Sequence, residues 1–282
     1  MNNWIILTIL YALVIGFYNC MKKKAMKGNS VYEVFAFFSL IAFIITIPIS
    51  HNVFEIDWII LPMVLAKALL IAGSWLIAGY LINKIPISLY AVLMLSKILF
   101  TIILSVIWLN EKISLTTFIG MIIVIMGLVL VNNNSGEKEK KEISLEHFVL
   151  LLLSCLLSSV SSVLDKTTLL YITSSQLQFW FLMFLTIILI LVLFIKEKKI
   201  NYNVVKKNYW IPLMSLCLVI ADRFLFMANE IPESQVSIIT ILKQISTIEI
   251  IVLGKFMFKE KMITKKILCS LLIVVGVIFT LV

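Results

Sequence analysis

The chain has 282 residues, of which 62% are hydrophobic and only 14% charged, whereas a soluble domain carries nearly twice that charged fraction. A soluble enzyme or binding module is therefore excluded. The net charge of +9 would point to nucleic acid in a soluble protein, but here the basic residues follow the loops between apolar runs, so no nucleic-acid partner is expected.

Apolar runs of about 20 residues, enough to cross a hydrocarbon core roughly 30 Å thick, recur along the chain. The first five centre near residues 12, 40, 71, 97 and 122. Run one (ILTILYALVIGFYNC) has Thr8, Tyr11, Tyr18 and Asn19 as its polar members and no acid. MNNW places no basic residue ahead of it, and its lysines come afterwards, so it reads as an uncleaved anchor rather than a signal peptide. Run three carries Lys67, Ser74 and Trp75; run four carries Tyr90, Lys97 and Thr101. A polar stretch, NNNSGEKEKKEISLEH, then separates two halves. The predicted divisions are a first repeat at 1–131, a cytoplasmic linker at 132–145 and a second repeat at 146–282. The second five runs centre near 159, 184, 220, 246 and 272. The sixth bears Ser154, Ser158, Ser161 and Ser162 on one helical face and then Asp165. Such a face lines either a cavity or a close helix contact. The eighth places Ser215, Asp222 and Asn229 at a period of seven, and the ninth carries Lys243, Thr247 and Glu249.

Loop charge gives an orientation. Lys22, Lys23, Lys24 and Lys27 follow run one, Lys84 run three, and Lys138, Lys140 and Lys141 run five. Lys196, Lys198, Lys199, Lys206 and Lys207 follow run seven, and Lys259, Lys261, Lys265 and Lys266 run nine. The opposite side has only Lys112, beside Glu55, Asp57, Glu111, Glu230 and Glu233. The basic side is then cytoplasmic and both termini lie outside the cell membrane.

The halves repeat. An offset of 146 carries Lys97 onto Lys243, Asn83 onto Asn229, Pro86 onto Pro232, Ser88 onto Ser234 and Thr101 onto Thr247. At an offset of 149, Glu111-Lys112 falls on Glu260-Lys261 and Gly127 on Gly276, so run nine holds three residues more than run four. An odd number of spans per copy inverts the second copy, as in secondary transporters whose substrate site lies near the midplane. Glu111 and Glu260 precede runs five and ten, and read as caps on those helix starts.

These strings resemble the EamA-type branch of the drug/metabolite transporter superfamily, which has an I-P/A-x-S helix start and a (G/N)EK turn in each repeat. The resemblance covers nearly the whole chain. It implies an all-α integral membrane protein of ten transmembrane helices, two inverted five-helix repeats around a central cavity lined mainly by spans 1, 3, 4, 6, 8 and 9. It further implies solute transport without naming the solute. Mid-span lysines depart from the usual family pattern at these places.

Lys97 and Lys243 each lie 11 residues after a proline, about 16 Å into the span, where an ammonium costs about 2.5–3.5 kcal/mol to insert. Each must face a wet cavity, pair with an acid or bind an anion. With Thr101 and Thr247 four residues on, each makes a Lys-x-x-x-Thr unit suited to a carboxylate or phosphate. The organophosphate-carrying relatives are similar in holding phosphate with basic residues in these spans. The small multidrug relatives use a glutamate in span one, which this chain lacks. Asn19, Tyr90 and Trp75 are further candidates for substrate contact. Asp165, Asp222, Lys67 and Glu249 are candidates for proton coupling or for ion pairs that tie helices together. A proton or a counter-substrate is a candidate coupling partner. No cofactor or metal is expected: Cys20, Cys155, Cys217 and Cys269 form no CxxC pair, and His51 and His147 lie in loops on opposite sides. The expected activity is secondary transport of a small organic solute, an anion or zwitterion in preference to a hydrophobic or cationic drug. A channel, a non-transporting subunit or a membrane-bound enzyme is the alternative of another class.

Overall fold

The computed structural model describes residues 3–81, 94, 96–133, 144–197, 207–258 and 263–281. Those residues form helices and turns, with no strand among them. The first half contains α1 (Asn3–Ala25), α2 (Val31–Thr46), α3 (Leu61–Leu81), α4 (Ser96–Leu109) and α5 (Leu115–Asn133). The second contains α6 (Leu145–Thr168), α7 (Ser174–Lys196), α8 (Trp210–Glu230), α9 (Val236–Leu242), α10 (Ile245–Phe258) and α11 (Ile263–Leu281). Helices α1, α2, α3, α6, α7 and α8 are long and apolar enough to cross a bilayer, and shorter apolar stretches lie in α4, α5 and α11. The ninth predicted span is two helices, α9 and α10, with Lys243 and Gln244 between them.

Local chemistry sets the helix starts. Ser144 accepts from the His147 N–H at 3.3 Å to open α6. Thr173 and Gln176 form a reciprocal capping box at the start of α7. Ile6, Leu10, Leu13 and Phe17 recur at helical spacing on α1 and are all exposed. Phe118, Ile119, Ile122 and Met126 do the same on α5. Continuous apolar faces of this kind suit lipid and not water. Inside lies an aromatic-rich core in which Tyr18, Phe35, Phe38, Phe181 and Phe226 are almost fully buried.

The principal helix contacts run between the halves, and they obey an exchange rule. Helices α2 and α7 pack together, as do α5 and α11. The α1–α8 contact has its counterpart in α3–α6, α1–α10 in α4–α6, and α2–α8 in α3–α7. Swapping each helix for its equivalent in the other half leaves this set of contacts unchanged. The halves therefore share one interior instead of forming two separate bundles.

At the α5–α11 contact the backbones touch. A Cβ on Gly120 would lie 2.5 Å from the Gly276 carbonyl oxygen, and one on Gly276 would lie 2.7 Å from the Gly120 carbonyl oxygen. Small residues at a crossing permit this approach, which favours association in lipid through dispersion contacts. Gly276→Leu is expected to lower the detergent melting temperature, with a cost of about 1–3 kcal/mol from overpacking. Gly73→Ala is expected to be neutral or stabilising, because its nearest neighbour, Leu157 Cδ1, would stand 3.6 Å from the added carbon. Equal melting of Gly276→Leu and the wild type would contradict this close packing.

Candidate functional site

Serines bring α3 and α6 close. The Ser74 hydroxyl donates to the Ser154 carbonyl at 2.9 Å, and the Ser154 hydroxyl donates to the Ser74 carbonyl at 3.0 Å. About two turns away on α3 and three on α6, this approach sets Lys67 against Asp165 in an ion pair whose members are both almost fully buried. The Lys67 ammonium also lies 3.5 Å from the Ser161 hydroxyl and 4.3 Å from the Phe181 ring centroid. Its charge is thus met by a carboxylate, a hydroxyl and an aromatic face.

Lys97 and Lys243 are treated differently. Both line a cavity of about 300 Å³, at the small end of the range for small-molecule sites. Helix α1 contributes Tyr11, Ile15 and Asn19 to its wall, α4 contributes Lys97 and Ile98 beside Met94, and α6 contributes Ser162. The α9–α10 segment adds Thr240, Lys243, Gln244 and Ser246. Among the described residues no carboxylate lines the cavity, and neither ammonium forms a salt bridge. The Lys243 ammonium stands 5.2 Å from the Tyr11 ring centroid.

The break after α9 delivers Lys243 to this place. The Gln244, Ser246 and Thr247 N–H groups bond to carbonyls three residues back, at 3.0, 3.1 and 3.0 Å. This is 3₁₀ geometry inside a membrane span. The Gln244 side-chain amide donates to the Thr240 carbonyl at 3.0 Å, and the Ser246 hydroxyl donates to the Lys243 carbonyl at 2.7 Å. The Thr240 carbonyl, which the Gln244 N–H no longer reaches, is satisfied by the Gln244 side chain, the condition for a broken helix inside a bilayer. Irregular backbone at this depth is tolerated where it lines a polar cavity.

The other predicted residues divide. Asn19 joins the cavity wall. Thr101 is fully buried and faces α6, its hydroxyl donating to the Lys97 carbonyl at 2.8 Å and lying 3.0 Å from the Ser159 hydroxyl. The Lys-x-x-x-Thr unit of α4 is thus divided, with its cation on the cavity and its hydroxyl in a helix contact. Thr247 follows the break and is outside the cavity lining. Trp75 packs against Phe35 and Phe38, with ring centroids 5.5 and 5.7 Å away. Tyr90 lies outside the described residues. Asp222 is within electrostatic reach of Lys67, Asp165 and Lys243. The Glu249 carboxyl lies against Gly16 of α1, where an added Cβ would collide with it, and its Oε2 is buried without a hydrogen-bond partner. Arg223 donates to the Ile49 carbonyl at 3.0 Å rather than pairing with its neighbour Asp222.

Sequence reasoning misassigned Glu111. Helix α5 is capped by Ser114, whose hydroxyl accepts from the Thr117 N–H at 3.0 Å. Asn110, at φ 53°, turns the chain, and the Glu111 carboxylate accepts from Val236 and Ser237 at the start of α9. Lys166 was also unassigned. Its ammonium donates to the carbonyls of Asn229 and Ile231 at 2.9 and 2.6 Å and to the Ser234 hydroxyl at 2.8 Å, with the Pro232 carbonyl 3.4 Å away. It closes the turn between α8 and α9. The only signal for either role is that a charged residue sits at the end of an apolar run, and that does not name the partner.

Fold and cavity define a multi-pass helical membrane protein with a small, polar, cationic chamber between two related halves. The sequence profile of the EamA-like transporter family matches residues 2–133 and again 147–282. The chain belongs to the EamA-like transporter family, and the family's assignment is transport rather than catalysis. A solved crystal structure of a protein not further described is similar with a TM-score of 0.75. That similarity covers 98% of this chain and 94% of the other at 11% identity, and so speaks to the fold alone. No curated protein matches the sequence.

Asp165→Asn strands a buried ammonium and is expected to cost about 3–5 kcal/mol, read as a large fall in melting temperature. Replacing both partners, Lys67→Met with Asp165→Leu, is expected to recover most of that loss. Asp165→Asn melting with the wild type would remove the ion pair from the account of stability.

Proposed function

We propose that the protein is a secondary active transporter that moves a small anionic or zwitterionic solute by alternating access. One observation carries this reading: two ammonium groups, one from each half, line a single cavity that no described carboxylate lines. An unpaired ammonium at this depth is costly, and an anion offsets that cost while being bound. Lys97 and Lys243 hold the acid group of the solute. Asn19, Tyr11, Ser162 and Thr240 supply hydrogen bonds around it, and the cavity's size limits the solute to a small molecule. A hydrophobic cation would meet like charge there, which disfavours the drug-export alternative.

Ten spans in two inverted repeats fit the exchange of contacts between halves. In this arrangement one half rocks against the other about a central site. Lysine-rich loops face the cytoplasm of the cell and both termini lie outside its membrane. Coupling is to a proton or a counter-substrate. Asp222 and Glu249 are its carriers, since neither forms a salt bridge among the described residues, whereas Asp165 is committed to Lys67.

The test is ligand-dependent melting of purified protein against amino acids, organic phosphates and cationic dyes. An anion or zwitterion at about 100 times its Kd is expected to stabilise by about 2.7 kcal/mol. Lys97→Ala and Lys243→Ala are each expected to abolish that shift, and to abolish saturable counterflow in proteoliposomes, while still inserting into the membrane. Stabilisation by cationic dyes alone, or full transport by both variants, would overturn the reading.

A further inference from the structure

We propose that Glu111 is a latch that shuts one end of the cavity by clamping the start of α9, and so is a positioning residue for the transport cycle. The proposal rests on the alternating-access reading given above. Glu111 belongs to the α4–α5 turn of the first half, and α9 belongs to the second. One carboxylate oxygen accepts from the Val236 N–H at 2.5 Å. The other accepts from the Ser237 N–H at 3.0 Å and from the Ser237 hydroxyl at 2.6 Å. Three charge-assisted hydrogen bonds therefore cross between the halves at one side chain. The latch is held in place on its own side, because the Glu111 N–H donates to the Ser105 carbonyl at 3.3 Å.

The position of α9 gives the clamp its consequence. This helix has seven residues, and five of them, Val236, Ser237, Ile239, Ile241 and Leu242, are at most 2% exposed. About one turn separates Ser237 from Thr240, and another brings the chain to Lys243; both of the latter line the cavity. A rod this short, with the 3₁₀ break at its far end, pivots as a unit. Lys166 holds the preceding turn from within the second half. Glu111 thus adds three hydrogen bonds at this end to the packing of α9 on α1, α4 and α5 of the opposite half. While they are made, buried residues of α9 stand between the cavity and the α4–α5 turn. When the halves rock apart at this end, these three bonds must break. Occupation of Lys243 by an anion and release of the α9 start are then two events on one short helix.

The experiment reads cavity accessibility from each side of the membrane. Thr240→Cys is placed in a chain whose four native cysteines are replaced by serine. A membrane-impermeant thiol reagent is applied to right-side-out cells and, separately, to inverted vesicles. Adding Glu111→Ala is expected to raise labelling from the α4–α5 side about tenfold and to lower it from the other side, the population shift that follows loss of charge-assisted bonds made in one state only. Glu111→Gln, which keeps an acceptor, is expected to fall between. A general loosening of the fold would raise labelling from both sides, and that result, or no change on either, would overturn the proposal. Ser162→Cys on α6 serves as a second reporter in case the substitution at Thr240 distorts α9. Saturable, lysine-dependent flux with unchanged accessibility would sink the latch alone. Reciprocal accessibility without flux would uphold the latch and sink the transport reading.

Discussion

An ammonium group withdrawn from bulk water must be given an acid, carbonyl oxygens, an electron-rich surface or an anion, and this constraint organises the protein. The chain meets it in four ways. Lys67 is paired with Asp165. Lys166 is surrounded by carbonyl oxygens at the α8–α9 turn. Lys22 lies 5.1 to 5.8 Å from the rings of Phe35, Trp75 and Tyr18, a three-sided aromatic setting. Lys97 and Lys243 form no ion pair among the described residues, Lys243 has a single ring, that of Tyr11, 5.2 Å away, and they are the two that share a cavity. The first three solutions tie helices together. The fourth leaves two cations on a cavity between the halves, and the proposed solute site is argued from that placement.

The broken ninth span follows from the same constraint. A continuous helix would carry every carbonyl in its own ladder and present only side chains to the cavity. Breaking it after Leu242 aims Lys243 inward and opens a place for a local 3₁₀ turn. The cost of the loosened Thr240 carbonyl is offset by Gln244, whose side chain reaches back to it, and the Ser246 hydroxyl adds a second bond to the Lys243 carbonyl. One short segment thereby combines a cavity-facing cation, a 3₁₀ break and, at its far end, hydrogen bonds to the opposite half. Interior rigidity supports it. Close approach at the serines of α3 and α6 and at the glycines of α5 and α11 lets dispersion contacts hold helices that gain nothing from a hydrophobic effect within lipid.

Much of this was legible in the sequence for identifiable reasons. Apolar length, the repeat offset and the cost of mid-span lysine are local or periodic properties, so they marked the helices, the two halves and the pair Lys97 and Lys243. The three-residue growth of the offset falls between Thr247 and Glu260, after the break at Lys243 and Gln244, so it did not mark that break. The destinations of Thr101, Trp75 and Glu111 were not legible. Each depends on which neighbouring helix lies opposite. A threonine four residues from a lysine shares its face only broadly, and α6 takes that hydroxyl through Ser159. Trp75 was drawn to Phe35 and Phe38, residues that no pattern links to it in sequence. Glu111 bonds to backbone more than a hundred residues away across the two halves, and a capping rule, which looks only along the chain, assigns it to the wrong helix.

The account depends on an anion site shared by Lys97 and Lys243. Bromide anomalous scattering from crystals of the wild-type protein tests it most directly, because it locates bound anions whatever the natural solute is. The account predicts a bromide peak inside the cavity, within contact distance of both ammonium groups. Peaks confined to surface lysines, with the cavity holding none, would contradict it.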